Sequence, residues 1–282
     1  MQTVLNEIFQ RENLNFLNHK PLHGGDINDV FLVETNKGKF VIKLNDATRF
    51  PKMFEAESLG LQLLKTSNTF RIPEVIAFGE TEEQSYLLLE YIAPGNKNTS
   101  FNNTFGHQLA QLHQNTADSF GLDHDNYIGS LPQYNLCEIQ NASQFYIEKR
   151  LEPQFELATK KGFTFNNLSS FYKNCTAEIP EEKPALTHGD LWNGNYLTDE
   201  NGNPCLIDPA VSYASREMDL AMMHLFGGFP YQIFETYHET FPLNPGWKNR
   251  LDLWQLYYLL VHLNLFGSGY SHQVNTILKK YS

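Results

Sequence analysis

The segment Leu186-Thr187-His188-Gly189-Asp190-Leu191-Trp192-Asn193-Gly194-Asn195, followed by Ile207-Asp208-Pro209, sets two carboxylates and an amide among turn formers and apolar residues. Tyr196-Leu197 and Cys205-Leu206-Ile207 surround Asp199-Glu200-Asn201-Gly202-Asn203, which reads as a short hairpin centred on Asn201-Gly202. Asn195 and Asp208 are then equidistant from the turn. They face each other across the two strands, within reach of a common cation. An amide oxygen and a carboxylate suit a hard ion such as Mg²⁺, which takes oxygen ligands and shares them with substrate phosphates.

Asp190 precedes Asn195 by five residues. The order Asp-x-x-x-x-Asn, then a second Asp past a hairpin, is the layout of a kinase catalytic loop. In that layout Asp190 orients an acceptor hydroxyl and takes its proton. Asn195 and Asp208 hold metal on the ATP phosphates. The transition state of phosphoryl transfer is loose, so positioning and charge neutralisation supply most of the catalysis.

The other half of such a site must come from elements that grip the nucleotide. Val30–Glu34 and Lys39–Leu44 flank Asn36-Lys37-Gly38 and are predicted to form a hairpin. Period two puts Phe40, Ile42 and Leu44 on one face and Val41 and Lys43 on the other, so Lys43 could reach the α/β-phosphates. Lys52–Lys65 has helical periodicity. From that helix either Glu57 or Glu55 could pair with Lys43. Successive helical residues turn by about 100°, so both cannot face the lysine. Gly24 and Gly25, ahead of the first hairpin strand, would let backbone N–H groups approach phosphates. The apolar strand ending in Glu90-Tyr91-Ile92 falls where an interlobe hinge would bind adenine through its backbone.

These elements change character near residue 91. Residues 1–91 read as a strand-rich ATP-binding lobe, and 92–282 as a mostly helical catalytic and substrate-binding lobe, an α+β organisation. Asn141–Lys160 is predicted helical with Pro153 as a possible break. Leu251–Leu265 is strongly apolar but shorter than a membrane span, so it is expected to be a buried core helix. His107 and His113 are expected to be satisfied structural histidines, Trp247 and Trp254 to pack in the core, and Glu178–Glu182 to be a solvated loop. The formal net charge of −11 offers no basic surface for nucleic acid. No membrane span or signal peptide is read. Three cysteines without metal-site spacing indicate a reduced, cytoplasmic chain.

His188-Gly189-Asp190-Leu191-Trp192-Asn193-Gly194-Asn195 resembles the H-G-D-L-W-x-G-N signature of the fructosamine-3-kinase (ketosamine-3-kinase) family. Trp192 separates it from many aminoglycoside and choline kinases. The likeness continues through Gly24-Gly25-Asp26-Ile27-Asn28, Ile207-Asp208-Pro209-Ala210, Arg216-Glu217-Met218-Asp219, Phe226-Gly227-Gly228-Phe229 and Asn264–Tyr270. The resemblance implies a protein-kinase-like two-lobe fold. It implies transfer of the ATP γ-phosphate to the 3-hydroxyl of a ketosamine, free or protein-bound, in deglycation or metabolite repair. Asp190 would be the proton acceptor, Asn195 and Asp208 the metal ligands, Lys43 with Glu57 the phosphate-positioning pair, and Glu90–Ile92 the adenine hinge. His188, Trp192 and Asp219 would contact substrate or support the catalytic loop. Some members carry a cysteine in the glycine-rich loop. Here no cysteine precedes Cys137, so no loop disulfide is expected.

Two other readings compete. An aminoglycoside- or choline-type kinase would take a cationic acceptor, which suits the negative charge. A nucleotide-binding module without catalysis is opposed by the joint presence of Lys43, Asp190, Asn195 and Asp208.

Overall fold

The computed structural model describes residues 2–22 and 27–282. The chain forms two compact units, one of Met1–Asn98 with Leu197–Ile207 and one of Thr99–Tyr196 with Asp208–Ser282.

The first unit is built on five antiparallel strands: β1 (Phe16–Pro21), β2 (Asp29–Thr35), β3 (Gly38–Asp46), β4 (Val75–Glu80) and β5 (Gln84–Glu90). Their order across the sheet is β1-β2-β3-β5-β4. The β2–β3 hairpin predicted from alternation is present, with Thr35 opposite Gly38 across the turn. Gly38 takes φ +126°, a conformation open to glycine and strained for other residues. Ile42 and Leu44 pack with Val33, Tyr86 and Leu88 against Leu5, Ile8 and Phe9. Those three residues lie on helix α1 (Gln2–Arg11), which the sequence reading passed over. Their i, i+3, i+4 spacing is the amphipathic signal that marks it. Helix α2 (Met53–Thr66) packs on β4 and β5.

The hairpin formed by Tyr196–Thr198 and Pro204–Leu206 is offset by one residue from the predicted register, which puts Asn195 level with Ile207 rather than with Asp208. Asp199 N–H donates to Asn203 O (2.9 Å), so Glu200-Asn201-Gly202 is a three-residue loop rather than a two-residue turn at Asn201-Gly202. Asp199 Oδ1 accepts from Asn201 N (2.9 Å) and Asn203 N (2.8 Å), and Gly202 supplies the left-handed residue at φ +80°.

The second unit is helical. It contains α3 (Phe101–His113), α4 (Ala142–Phe145), α5 (Glu152–Lys160), α6 (Leu168–Glu178), α7 (Glu217–Leu225), α8 (Tyr231–Thr240), α9 (Trp247–Phe266) and α10 (Ser271–Tyr281). The predicted core helix is α9. Leu253, Leu256, Tyr257, Leu260, Val261 and Leu263 bury it on every side, as expected for a helix apolar all round. Among the described residues no helix is long and apolar enough to cross a membrane. Pro153 does not break the predicted 141–160 helix. A π-turn over Tyr146–Leu151 joins α4 to α5, and the proline sits in the first turn of α5. The wider turn accommodates a residue that lacks an N–H and would crowd the carbonyl four residues back.

Buried charge organises this unit. Glu217 on α7 is fully buried and accepts from Arg250 Nη2 (2.6 Å), Arg250 Nε (3.0 Å) and Trp254 Nε1 (2.8 Å) on α9. The acidic run Glu178–Glu182 is not simply a solvated loop. Glu178 ends α6, and Glu182 is held by Arg216 (2.6 Å) and by Asn244 Nδ2 (2.8 Å). Arg216 also donates to Phe241 O and Pro242 O.

Candidate active site

Strand β3 points Lys43 away from the α1 core, and its ammonium lies 2.5 Å from Glu57 Oε1 on α2. The Lys43 side chain is 6% exposed and the Glu57 side chain 12%. Glu55 is half-exposed and faces Lys52 instead. The rotation of α2 therefore decides between the two glutamates, which lie about 200° apart around the helix. Glu57→Gln is expected to weaken ATP use by roughly tenfold or more, because a buried charge-assisted pair is lost. Glu55→Gln should leave it unchanged. Steady-state ATP titrations of the two variants distinguish them, and equal effects would undo the assignment.

Glu90 closes β5, with Tyr91 half-buried and Ile92 buried beyond it. The Glu90 side chain is engaged by Arg71 Nη2 (2.8 Å) and by Glu74 N (3.2 Å). Its own N–H donates to Glu74 O. Adenine contacts in this stretch would thus fall to other backbone groups. Gly24 and Gly25 lie outside the described residues.

The residues of the candidate catalytic loop converge in the second unit. His188 is buried, and Gly189 takes φ +84° with its Cα against Ala210, where a Cβ would meet the Ala210 carbonyl at 2.0 Å. Only glycine fits there. Ala210 N–H in turn donates to His188 O (2.9 Å). Trp192 N donates to Asp190 O (3.1 Å) and Asn195 N to Trp192 O (3.0 Å), so the loop folds back on itself within five residues. Asn195 Nδ2 then reaches Asp190 O (2.8 Å), Asp190 Oδ2 (3.0 Å) and Asp208 O (3.4 Å). Asp190, Asn195 and Asp208, separated in sequence by the hairpin, are thereby joined through one amide. Trp192 is 37% exposed, and its ring covers Gly194, where a Cβ would meet it at 2.3 Å.

Asp208 holds φ +55° immediately before Pro209. A non-glycine residue rarely adopts that conformation, and such strain concentrates at functional positions. Burial, reinforced by the negative charges of Asp208 and Asp219 and opposed by the Asn195 hydrogen bond, pushes the Asp190 carboxyl up to about 7. A carboxyl poised near neutrality can accept a proton from a hydroxyl as that hydroxyl attacks.

Asp219, fully buried on α7, accepts from His188 N (2.7 Å) and Gly189 N (2.8 Å), fixing the backbone just before Asp190. His113 Nε2 lies 3.1 Å from the same carboxylate, and His113 Nδ1 lies 2.9 Å from Tyr237 Oη. Burial would raise the Asp219 carboxyl, but the His113 and backbone hydrogen bonds outweigh it and hold it below the usual range. His113, expected to be a satisfied structural histidine, thus tethers the loop's anchor. Tyr237 carried no sequence signal of this role. His107 Nδ1 lies 2.7 Å from Thr240 Oγ1, and Trp254 is in the core while Trp247 is half-buried.

The fructosamine kinase family model matches residues 1–282. A probable ketoamine kinase of Enterococcus faecium is 39% identical, covering 100% of this chain and 99% of that protein. The chloroplastic protein-ribulosamine 3-kinase of Arabidopsis thaliana is 36% identical, covering 92% of this chain and 80% of that protein. The crystal structure of a candidate fructosamine-3-kinase from Haemophilus somnus superposes with a TM-score of 0.89 at 26% identity, covering 98% of this chain and 96% of that one. The fold alone is shared with an aminoglycoside phosphotransferase (TM-score 0.64, 14% identity, 100% and 99% covered). The fold is protein-kinase-like. Matched over its whole length by the family model and by close relatives, the chain belongs to the fructosamine kinase family and is an ATP-dependent kinase.

Proposed function

We propose that this kinase transfers the γ-phosphate of ATP to the 3-hydroxyl of a ketosamine, a sugar joined to an amine through an Amadori rearrangement. The observation that carries the reading is the Asp190–Asn195–Asp208 arrangement, set in a chain that matches the family over its whole length. Asp190 takes the hydroxyl proton while the hydroxyl oxygen bonds to the γ-phosphorus. The bond from that phosphorus to the bridging oxygen breaks and ADP leaves. Lys43, held by Glu57, steadies the α/β-phosphates, and the backbone near Tyr91 and Ile92 receives adenine. The first unit is read as the nucleotide lobe, and the second as the catalytic and acceptor lobe.

Mg²⁺ fits the donors present. The Asn195 amide nitrogen is committed to Asp190 and to the Asp208 backbone carbonyl, which leaves the Asn195 oxygen and the Asp208 carboxylate as the candidate donors. Among the described residues no group of three or more His, Cys, Asp or Glu side chains is placed to hold a metal. Two protein oxygens suit an ion that completes its shell with phosphate and water. When bound, the ion supplies charge neutralisation on the phosphates. Trp192, exposed two residues from Asp190, is read as an acceptor contact. Release of the amine from the unstable 3-phosphate would serve deglycation or metabolite repair, on free or protein-bound amines. The cytoplasm is the proposed setting, and the free thiols of Cys137, Cys175 and Cys205 are compatible with it.

The test is ADP formation by purified protein with MgATP against ribulosamine, fructosamine, choline and an aminoglycoside. Ketosamine-dependent turnover is expected. Turnover of only choline or the aminoglycoside would discard the acceptor, and nucleotide binding without any turnover would favour a binding role. Asp208→Asn should abolish both turnover and the dependence of nucleotide binding on the divalent ion.

A further inference from the structure

Arg71 lies in the connection between α2 and β4, and the proposed mechanism gives it no part. Its guanidinium nevertheless spans two pieces of the first unit that are far apart in sequence. Nη2 donates to Glu90 Oε1 (2.8 Å), at the end of β5. Nη1 donates to both Glu200 oxygens (2.9 and 2.8 Å) and to Asp199 Oδ2 (3.3 Å), at the tip of the hairpin. The backbone follows the same route, since Leu206 N donates to Arg71 O (3.1 Å). Beyond β5 the chain is laid along the hairpin. Gly95 N donates to Thr198 O (3.0 Å) and Asn98 N to Gly202 O (3.2 Å). A Cβ on Gly95 would stand 2.2 Å from Asp199 O.

One cation therefore sits among three carboxylates, and its two terminal nitrogens serve different elements. Without it, Glu90, Asp199 and Glu200 would repel one another across the contact, and Asp199 is only 4% exposed. A planar fork can hold two partners in fixed directions, which a lysine cannot. The hairpin is the piece of chain whose two ends carry Asn195 and Asp208, and β5 runs into the segment read as the adenine hinge.

We propose that Arg71 is a positioning residue for nucleotide binding, clamping the end of β5 to the hairpin between the two candidate metal ligands. This rests on the functional reading given above only in naming the nucleotide. Binding of a fluorescent ATP analogue with Mg²⁺ to the full-length protein therefore tests it apart from any acceptor.

Arg71→Ala is expected to bind the analogue roughly tenfold more weakly and to need more Mg²⁺ for half-maximal binding, the order expected when a forked charge-assisted contact is removed. Arg71→Lys should fall between Arg71→Ala and the wild type. Glu200→Gln, on the exposed side of the clamp, should shift binding in the same direction by less and keeps the test alive if Arg71→Ala folds poorly. Where turnover is measured, KM for ATP should rise while KM for the acceptor stays constant. Unchanged nucleotide and Mg²⁺ titrations in Arg71→Lys and Glu200→Gln would overturn the proposal. So would equal losses in both KM values and kcat, which would mark a general folding role.

Discussion

Asp190→Asn should lower kcat by roughly 10²–10⁴, the range associated with loss of a general base, while ATP affinity stays close to that of the wild type. The amide has nearly the shape of the carboxylate and keeps an oxygen for Asn195 Nδ2 to donate to. The loop also remains anchored by Asp219 through His188 N and Gly189 N, so the backbone has no reason to move. What disappears is the proton acceptor. Single-turnover kinetics with saturating MgATP, alongside nucleotide titration and thermal unfolding, separate these effects. A wild-type kcat would remove Asp190 from the proton-accepting role. A matching loss of ATP affinity would make it a nucleotide ligand.

Glu217→Ala is expected to cost about 3–5 kcal/mol of stability, the range for breaking a buried ion pair by removing one partner. Glu217 is fully buried, the Arg250 side chain is 8% exposed, and the pair is closed by two hydrogen bonds. Truncation would leave Arg250 with Pro245 O, and Trp254 Nε1 without its acceptor in the core. Glu217→Gln keeps the shape and an acceptor and should cost less. Urea unfolding of both variants, read by tryptophan fluorescence, checks the ranking. A Glu217→Ala midpoint within error of the wild type would show that the pair contributes little.

The arrangement of the candidate site was legible where its relations are local. Asp190 and Asn195 share one loop, and the turn-forming run to Asn203 announces that the chain returns with Asp208. Alternation along β3 separated Lys43 from Ile42 and Leu44. The two glutamates of α2 could not be separated by type, since only the rotation of the helix decides between them. Partnerships across long stretches of chain left no trace in the sequence. Arg71 and Asp199 are 128 residues apart, and His113 and Asp219 are 106 apart. Pro153 announced an interruption of its helix but not the π-turn that absorbs it.

The first unit is not one continuous stretch of chain, because Leu197–Ile207 belongs to it. This has a bearing on how the protein is made. When the ribosome has released residues 1–98, the Arg71 guanidinium still lacks Asp199 and Glu200, and its backbone carbonyl still lacks Leu206 N. Nearly a hundred residues of the second unit must be synthesised before Cys205 and Leu206, both buried, can arrive. The nascent amino-terminal piece waits with an unfinished edge for that interval, and the loop bearing Asp190 emerges just ahead of the hairpin that completes it.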